Sequence, residues 1–323
     1  MSLDALIAAL RAGRGLAHKR DIAPVLARLA PGAPSAVRNG DDCAAIPDGD
    51  GHLLFAIEGF LPEFVAADPR FAGWCGVMVN VSDIYAMGGR PVAVVDAVFA
   101  DGDARAAPVL DGLAAASCAY GVPVVGGHTN TRAGGAGLSV AVLGRAGTRL
   151  LTSFDARPGE AIIAAIDLRG SFREPHAYWD ASSDAPAARL RGDLEVLPSL
   201  AEDGLCRAGK DISMAGVIGT ALMLLECSGC GARIDVDAVP RPDYVALPRW
   251  LQAFPSYGFL LTAAPADVDG VCARFAARGI AAAAIGACEA GDTVRLTQGG
   301  ESRVLWRFAA GDTSGGAVLG AAA

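Results

Sequence analysis

The chain has 323 residues, 52% of them hydrophobic and 19% charged, with a net charge of −8. That is a globular composition, long enough for two domains that each bury a core. The negative balance leaves no basic footprint for nucleic acid or an anionic membrane, and no apolar run reaches the roughly 18 to 20 residues of a transmembrane helix. The opening residues, broken by Asp4, lack a signal-peptide core, so the cytoplasm is the expected compartment.

Residues 1 to about 30 read as one or two helices, the second headed by His18-Lys19-Arg20-Asp21, and Pro31-Gly32-Ala33-Pro34 reads as a loop. Asn39-Gly40-Asp41-Asp42-Cys43 leads into an apolar run, and a short buried strand, Leu53 to Ile57, ends on Glu58. From about Phe71, Trp74, Cys75 and Met78 recur at helical spacing. Gly88-Gly89 then supplies a left-handed cap and Pro91 forbids continuation. A strand from Val92 to Phe99, interrupted by Asp96, precedes a helix from Pro108 to Tyr120 capped by Gly121. The strand Val122 to Val125 enters the turn Gly126-Gly127-His128-Thr129, and glycine-rich 133–137 reads as a hairpin tip before the strand Leu138 to Leu143. Such alternation gives an α/β or mixed α+β first half.

Arg157-Pro158-Gly159 precedes a new strand, Ala161 to Ile166, and divides the chain into domains at 1–150 and 151–323. The polar stretch from Arg169 to Ala188 reads as a long loop or lid. Lys210-Asp211-Ile212-Ser213 opens a helix running to about Glu226, with Ser213 as its cap. Strands near Ile234, at Phe259 to Thr262 and at Ala281 to Ile285 follow, with a helix from Val268 to Arg278. The tail from Gly311 is expected to fray.

The acids stand at element edges rather than on solvated faces: Asp41 and Asp42 after a glycine, Glu58 at a strand end, Asp83 at a helix end, Asp211 at a helix entrance. Carboxylates so placed suit an oxygen-ligated Mg²⁺ whose shell phosphates complete. Asn80 and Asp83 share a helix face with Gly76 below them, near a C-terminus where the macrodipole disfavours an anion. Arg90 or a bound Mg²⁺ would offset Asp83; a half-exposed polar face is the plainer reading. Asp96 is a further candidate, or a buried acid paired with an arginine.

Gly127, His128 and Thr129 offer backbone N–H groups and a hydroxyl to a phosphate, or His128 is a turn residue satisfied by backbone. The only lysines are Lys19 and Lys210 in a chain otherwise using arginine, which fits a need for compact charge there or chance retention. Neither a GxxxxGK[ST] motif nor a strand-borne GxGxxG occurs. The lone Cys227-Ser228-Gly229-Cys230 pair cannot complete a four-ligand zinc site.

Ser82-Asp83-Ile84-Tyr85-Ala86-Met87-Gly88-Gly89-Arg90-Pro91 resembles the SD-x-x-AMG-x-x-P signature of the aminoimidazole ribonucleotide (AIR) synthase superfamily. Gly40-Asp41-Asp42-Cys43-Ala44 resembles the GDDAA box of its thiamine-monophosphate kinases. Gly126-Gly127-His128-Thr129 resembles a selenophosphate synthetase turn. Ala156-Arg157-Pro158-Gly159-Glu160 and Lys210-Asp211-Ile212-Ser213 are similar to segments of the family's second domain.

The resemblance implies a PurM-like two-domain fold, an N-terminal domain that pairs into a β-barrel within a homodimer, and a C-terminal α/β sandwich. It implies ATP between the domains and transfer of its terminal phosphoryl group to an amide, carboxyl or phosphate oxygen of a small molecule. Asp41, Asp83 and Asp211 match metal-binding acids, with Asp42 beside them and Glu58 in place of a family Asp. Asn80, Gly127, His128 and Thr129 match nucleotide contacts, and Lys19 and Lys210 would neutralise the migrating phosphoryl group. Lys19 lies about where selenophosphate synthetase keeps a Cys-Lys pair, but without the cysteine. The GTDGVGTK strand of AIR synthase itself is absent. The chain looks most like a branch encoded beside nitrilases, implying a role in nitrogen metabolism. The rival expectation is a nucleotide-binding scaffold subunit that performs no chemistry. The segments 169–188 and 240–257, with Arg173, Trp179, Arg249, Trp250 and Tyr257, are where an acceptor would be read.

Overall fold

The computed structural model describes residues 1–20, 22–29 and 37–308. The expected loop at Pro31–Pro34 and the tail from Gly311 lie outside them. The helices are α1 (Leu3–Arg11), α2 (Arg14–Arg20), α3 (Ile22–Leu29), α4 (Pro62–Ala67), α5 (Pro69–Ala86), α6 (Asp103–Tyr120), α7 (Ala187–Leu194), α8 (Val196–Asp203), α9 (Gly216–Ser228), α10 (Leu247–Trp250) and α11 (Val268–Ala276). The strands are β1 (Ala44–Asp48), β2 (Gly51–Phe60), β3 (Arg90–Asp101), β4 (Val124–Asn130), β5 (Arg132–Ala146), β6 (Ala161–Ile166), β7 (Ser171–Phe172), β8 (Trp179–Asp180), β9 (Ala208–Asp211), β10 (Gly231–Asp235), β11 (Gly258–Ala263), β12 (Ala281–Glu289), β13 (Thr293–Gln298) and β14 (Glu301–Arg307). No helix among the described residues is long and apolar enough to cross a membrane.

The chain forms two compact units. One comprises Cys43–Arg149 and Ser182–Glu202. Its open sheet runs β1-β2-β5-β3-β4, antiparallel except where β4 joins β3 in parallel. α5 begins on Asp68, whose carboxylate accepts from the Phe71 amide at 3.3 Å, and ends at Met87 before Gly88 with φ +75°. The expected glycine stop is therefore present. α5 and α6 cross where glycines meet: a Cβ on Gly73 would lie 2.0 Å from the Val109 carbonyl oxygen, and one on Gly112 2.0 Å from that of Arg70.

Several expectations in this unit need correction. Glu58 does not end its strand, because pairing with β5 carries β2 on to Phe60. Gly126 to Asn130 is not a turn but edge strand, with Gly127 opposite Asp96 and His128 opposite Ala97. The glycines at 134, 135 and 137 lie inside β5 rather than at a hairpin tip. Arg90 does not offset Asp83, since its guanidinium pairs with Glu195 at 3.0 Å and Glu202 at 2.6 Å.

The other unit carries Met1–Asp42, Leu150–Ala181 and the chain from Asp203 onward. Its mixed sheet runs β14-β13-β10-β12-β6-β11-β9, with β10 and β13 parallel. Leu3, Leu6, Ile7 and Leu10 put the apolar stripe of α1 into the same core as Ile162, Leu222, Leu260 and Trp306. Lys210 and Asp211 end a strand rather than opening a helix, because β9 pairs with β11 in the register Leu260↔Lys210 and Phe259↔Asp211. The helix waits until Gly216, behind Ala215 at φ +84°. Residues 169–188 are not one long loop: β7 and β8 form a hairpin, and α7 starts at Ala187. Trp179 and Trp250 pack edge to face at 4.9 Å inside the core. Arg173 pairs with Asp180, while Arg249 pairs with Glu174 and lies 3.8 Å over the Phe172 ring. These residues hold the hairpin to the unit.

Candidate functional site

The second unit gathers acids and both lysines at the end of β9. Lys210 and Asp211 are 2% and 1% exposed. The Lys210 ammonium donates to Asp42 Oδ1, and the Asp211 amide donates to Asp42 Oδ2 at 3.2 Å. Carboxylate oxygens of Asp42 and Asp211 come within 4.8 Å of each other. Asp41 faces differently: Ser153 donates to it through its hydroxyl at 2.7 Å and its amide at 2.9 Å. Asp41 therefore anchors the Gly40-Asp41-Asp42 loop, while Asp42 takes the place beside Asp211. Lys19 on α2 donates to Ser213 at 3.3 Å, and Ser256 donates to Asp211 Oδ2 at 2.8 Å.

Three acids, Asp211 buried and Asp41 and Asp42 partly so, thus surround one buried ammonium, and the electrostatics show the excess. Burial pushes the Asp211 carboxyl up to about 7, with the charge on Asp42 adding and Lys210, Ser256 and Lys19 pulling back. Burial likewise lifts Asp41 to about 6, against Lys210 and the Ser153 bonds. For Lys210 burial favours the neutral amine, but Asp42, Asp41 and Asp211 outweigh it and raise its pKa, so it remains an ammonium. Oxygen donors converging with surplus negative charge are the donor set a hard divalent cation takes. The residues fit Mg²⁺.

The unit with the open sheet holds the remaining candidates. Asn80 and Asp83 on α5 are 0% and 4% exposed, which removes the half-exposed polar face as a reading. Asn80 Nδ2 donates to the Gly76 carbonyl at 2.8 Å, and its buried Oδ1 has no hydrogen-bond partner among the described residues. Glu58, Val140, Asp96 and Gly127 stand in one row across four strands. That puts both acids on one face of the sheet, and α5 covers this face: a Cβ on Gly76 would lie 2.8 Å from Val140 Cγ2. A Cβ on Gly127 would lie 2.8 Å from the Asp96 carboxyl carbon, so the glycine makes room for that acid. Burial raises the Asp96 pKa, and among the described residues it forms no ion pair with an arginine. Strand alternation separates the Gly127-His128-Thr129 trio. Gly127 and Thr129 share the face of Asp96, whereas His128 points to the other, 5.9 Å from the Phe99 ring.

Ser153 and Ser256 were not recognisable in the sequence, since their acids lie 112 and 45 residues away along the chain. Cys227 Sγ donates to the Gly40 carbonyl at 3.4 Å and Cys230 Sγ to that of Ala156 at 3.4 Å, each serving local packing. Burial holds the Cys227 thiol up at about 12.

Comparison with known proteins identifies the family and the fold. The model of the AIR synthase related protein N-terminal domain matches residues 40–146, and that of the C-terminal domain matches 175–299. An uncharacterized protein of Synechocystis sp. is 48% identical over 309 residues, covering 94% of this chain and 95% of that one. Among solved structures, T. maritima PurL complexed with ATP is similar with a TM-score of 0.71 at 19% identity, over 81% of this chain and 45% of that one. The chain thus spans about half of that PurL. AaThiL complexed with AMPPCP and TMP is similar with a TM-score of 0.66 at 21% identity, over 86% of this chain and 92% of that one. The mixed α/β architecture is the PurM-like fold these structures share. Two family models matched in order, and a relative similar over nearly its whole length, establish that the chain belongs to the AIR synthase related proteins.

Proposed function

We propose that the protein is an ATP- and Mg²⁺-dependent phosphotransferase that delivers the terminal phosphoryl group to an amide, carboxyl or phosphate oxygen of a small metabolite. One observation carries the reading: Asp42 and Asp211 converge, buried, with more negative charge than Lys210 offsets. The ATP and AMPPCP bound by the PurL and ThiL structures of similar fold support the nucleotide. For a division into an N-terminal domain, 1–150, and a C-terminal domain, 151–323, the support is the order of the two family matches, 40–146 and then 175–299, while Met1–Asp42 and Ser182–Glu202 fall in the opposite compact units.

When bound, Mg²⁺ would supply charge neutralisation for the triphosphate. Asp42 and Asp211 are assigned to hold it, with Asp41 fixing the loop from behind. Lys210 keeps its proton beside Asp42, and its fixed charge stabilises negative charge developing nearby without reorganisation. Lys19, tethered at Ser213, is assigned the same role. Glu58, Asn80, Asp83, Gly127, His128 and Thr129 are assigned to the nucleotide and its metal, as the family resemblance implies. That resemblance is also what supports a cytoplasmic role in nitrogen metabolism, and a homodimer is supported by the bare apolar face of the open sheet.

The test is ATP turnover by purified protein against amide, carboxylate and phosphate acceptors. Turnover should stop when EDTA removes Mg²⁺ and fall by about two orders of magnitude in Asp83→Asn. Equal turnover in the variant contradicts the assignment. Stoichiometric nucleotide with no turnover on any acceptor would favour a scaffold subunit instead.

A further inference from the structure

We propose that Ser256 is a positioning residue whose hydroxyl, held out by a left-handed backbone, aims the Asp211 carboxylate toward Asp42. The inference rests on the reading of Asp42 and Asp211 as the cation-holding pair. Ser256 has φ +47°, a conformation in which an L side chain crowds its own backbone and which glycine usually occupies. Ala215, at φ +84°, is the other non-glycine residue with positive φ among the described residues. Both border the short segment from Asp211 to Ser213. Strain gathered at one place is retained only where surrounding contacts over-determine it, and such places are commonly functional.

The contacts show what the strain maintains. The Ser256 amide donates to the Ile212 carbonyl at 2.8 Å, and its hydroxyl donates to Asp211 Oδ2 at 2.8 Å. One residue therefore grips two consecutive residues at the end of β9. Glycine could make the amide bond without crowding but not the hydroxyl bond. The bond to Oδ2 fixes the rotation of the carboxylate, and with it the direction in which Asp211 offers an oxygen to a cation beside Asp42. A donor that fixes the rotation of a ligating carboxylate contributes to metal affinity nearly as the ligand does.

The experiment titrates Mn²⁺ into the full-length protein by electron paramagnetic resonance, alone and with a non-hydrolysable ATP analogue, alongside thermal melting. Ser256→Gly and Ser256→Ala should both weaken Mn²⁺ binding about 10- to 100-fold, although the glycine variant, relieved of crowding, melts above the alanine one. Ser256→Asn, which tolerates the left-handed region and carries an N–H donor, should recover part of the affinity. Unchanged affinity in the glycine and alanine variants, or affinity restored in the glycine variant, overturns the proposal. So does affinity that simply follows melting temperature across the three variants. Asp211→Asn binding Mn²⁺ as wild type does would instead sink the reading of the acid pair, and this inference with it.

Discussion

Lys210 and Asp42 meet with side chains only 3% and 6% exposed, so each charge relies on the other. Removing the ammonium leaves buried acids with less compensation. Lys210→Met should therefore lower unfolding free energy by about 3–5 kcal/mol, measured by urea denaturation without metal. A loss under about 1 kcal/mol would show that solvent already screens the pair. At this scale the sequence made residue types legible but not their partners. Asp41 and Asp42 are adjacent and chemically identical, yet one is bound by Ser153 and the other by Lys210. The pattern of neighbours along the chain carries no sign of that division, because Ser153 approaches from a segment 112 residues distant. Lys19 and Lys210 were better marked, as exceptions in a chain built with arginine.

The α5–α6 crossing sets how α5, with Asn80 and Asp83, lies on its sheet. Alanine ordinarily stabilises a helix interior by about 1 kcal/mol relative to glycine. At Gly112 the sign should reverse, because the new Cβ would fall 2.0 Å from the Arg70 carbonyl oxygen and force the helices apart. Gly112→Ala should cost about 1–3 kcal/mol by urea midpoint, and a gain in stability would contradict the close approach. Elements with strong local signals were legible: α5 from its periodicity and glycine stop, α6 from its Gly121 cap, β6 from its unbroken apolar run. Elements decided by distant pairing were not. Lys210 and Asp211 look like a helix start until β11 recruits them as a strand, and Gly126 to Asn130 look like a turn until β3 pairs with them. The same pairing imposes the alternation that turns His128 away from Asp96.

One face of the open sheet is left bare at the scale of the molecule. Ile46, Phe55, Ile57, Leu143, Val95 and Phe99 share that face by register, and Phe55 and Ile57 are 50% and 66% exposed. Contiguous apolar surface of this kind marks an interaction site. A second copy of the chain is the partner the family resemblance supports. Sedimentation should give a dimer for the wild type and a monomer for Ile57→Lys, with the fold unchanged by circular dichroism; a monomeric wild type would contradict the pairing. Asp42 and Asp211, by contrast, are assigned to hold a divalent cation together with ATP. Electron spin echo envelope modulation of Mn²⁺ added with ATP, comparing wild type with Asp211→Asn, tests that assignment directly. Bound Mn²⁺ coupled to ³¹P in the wild type, with that signal lost in the variant, is the expected result. An identical ³¹P-coupled signal in both, or no bound Mn²⁺ in the wild type, would contradict it.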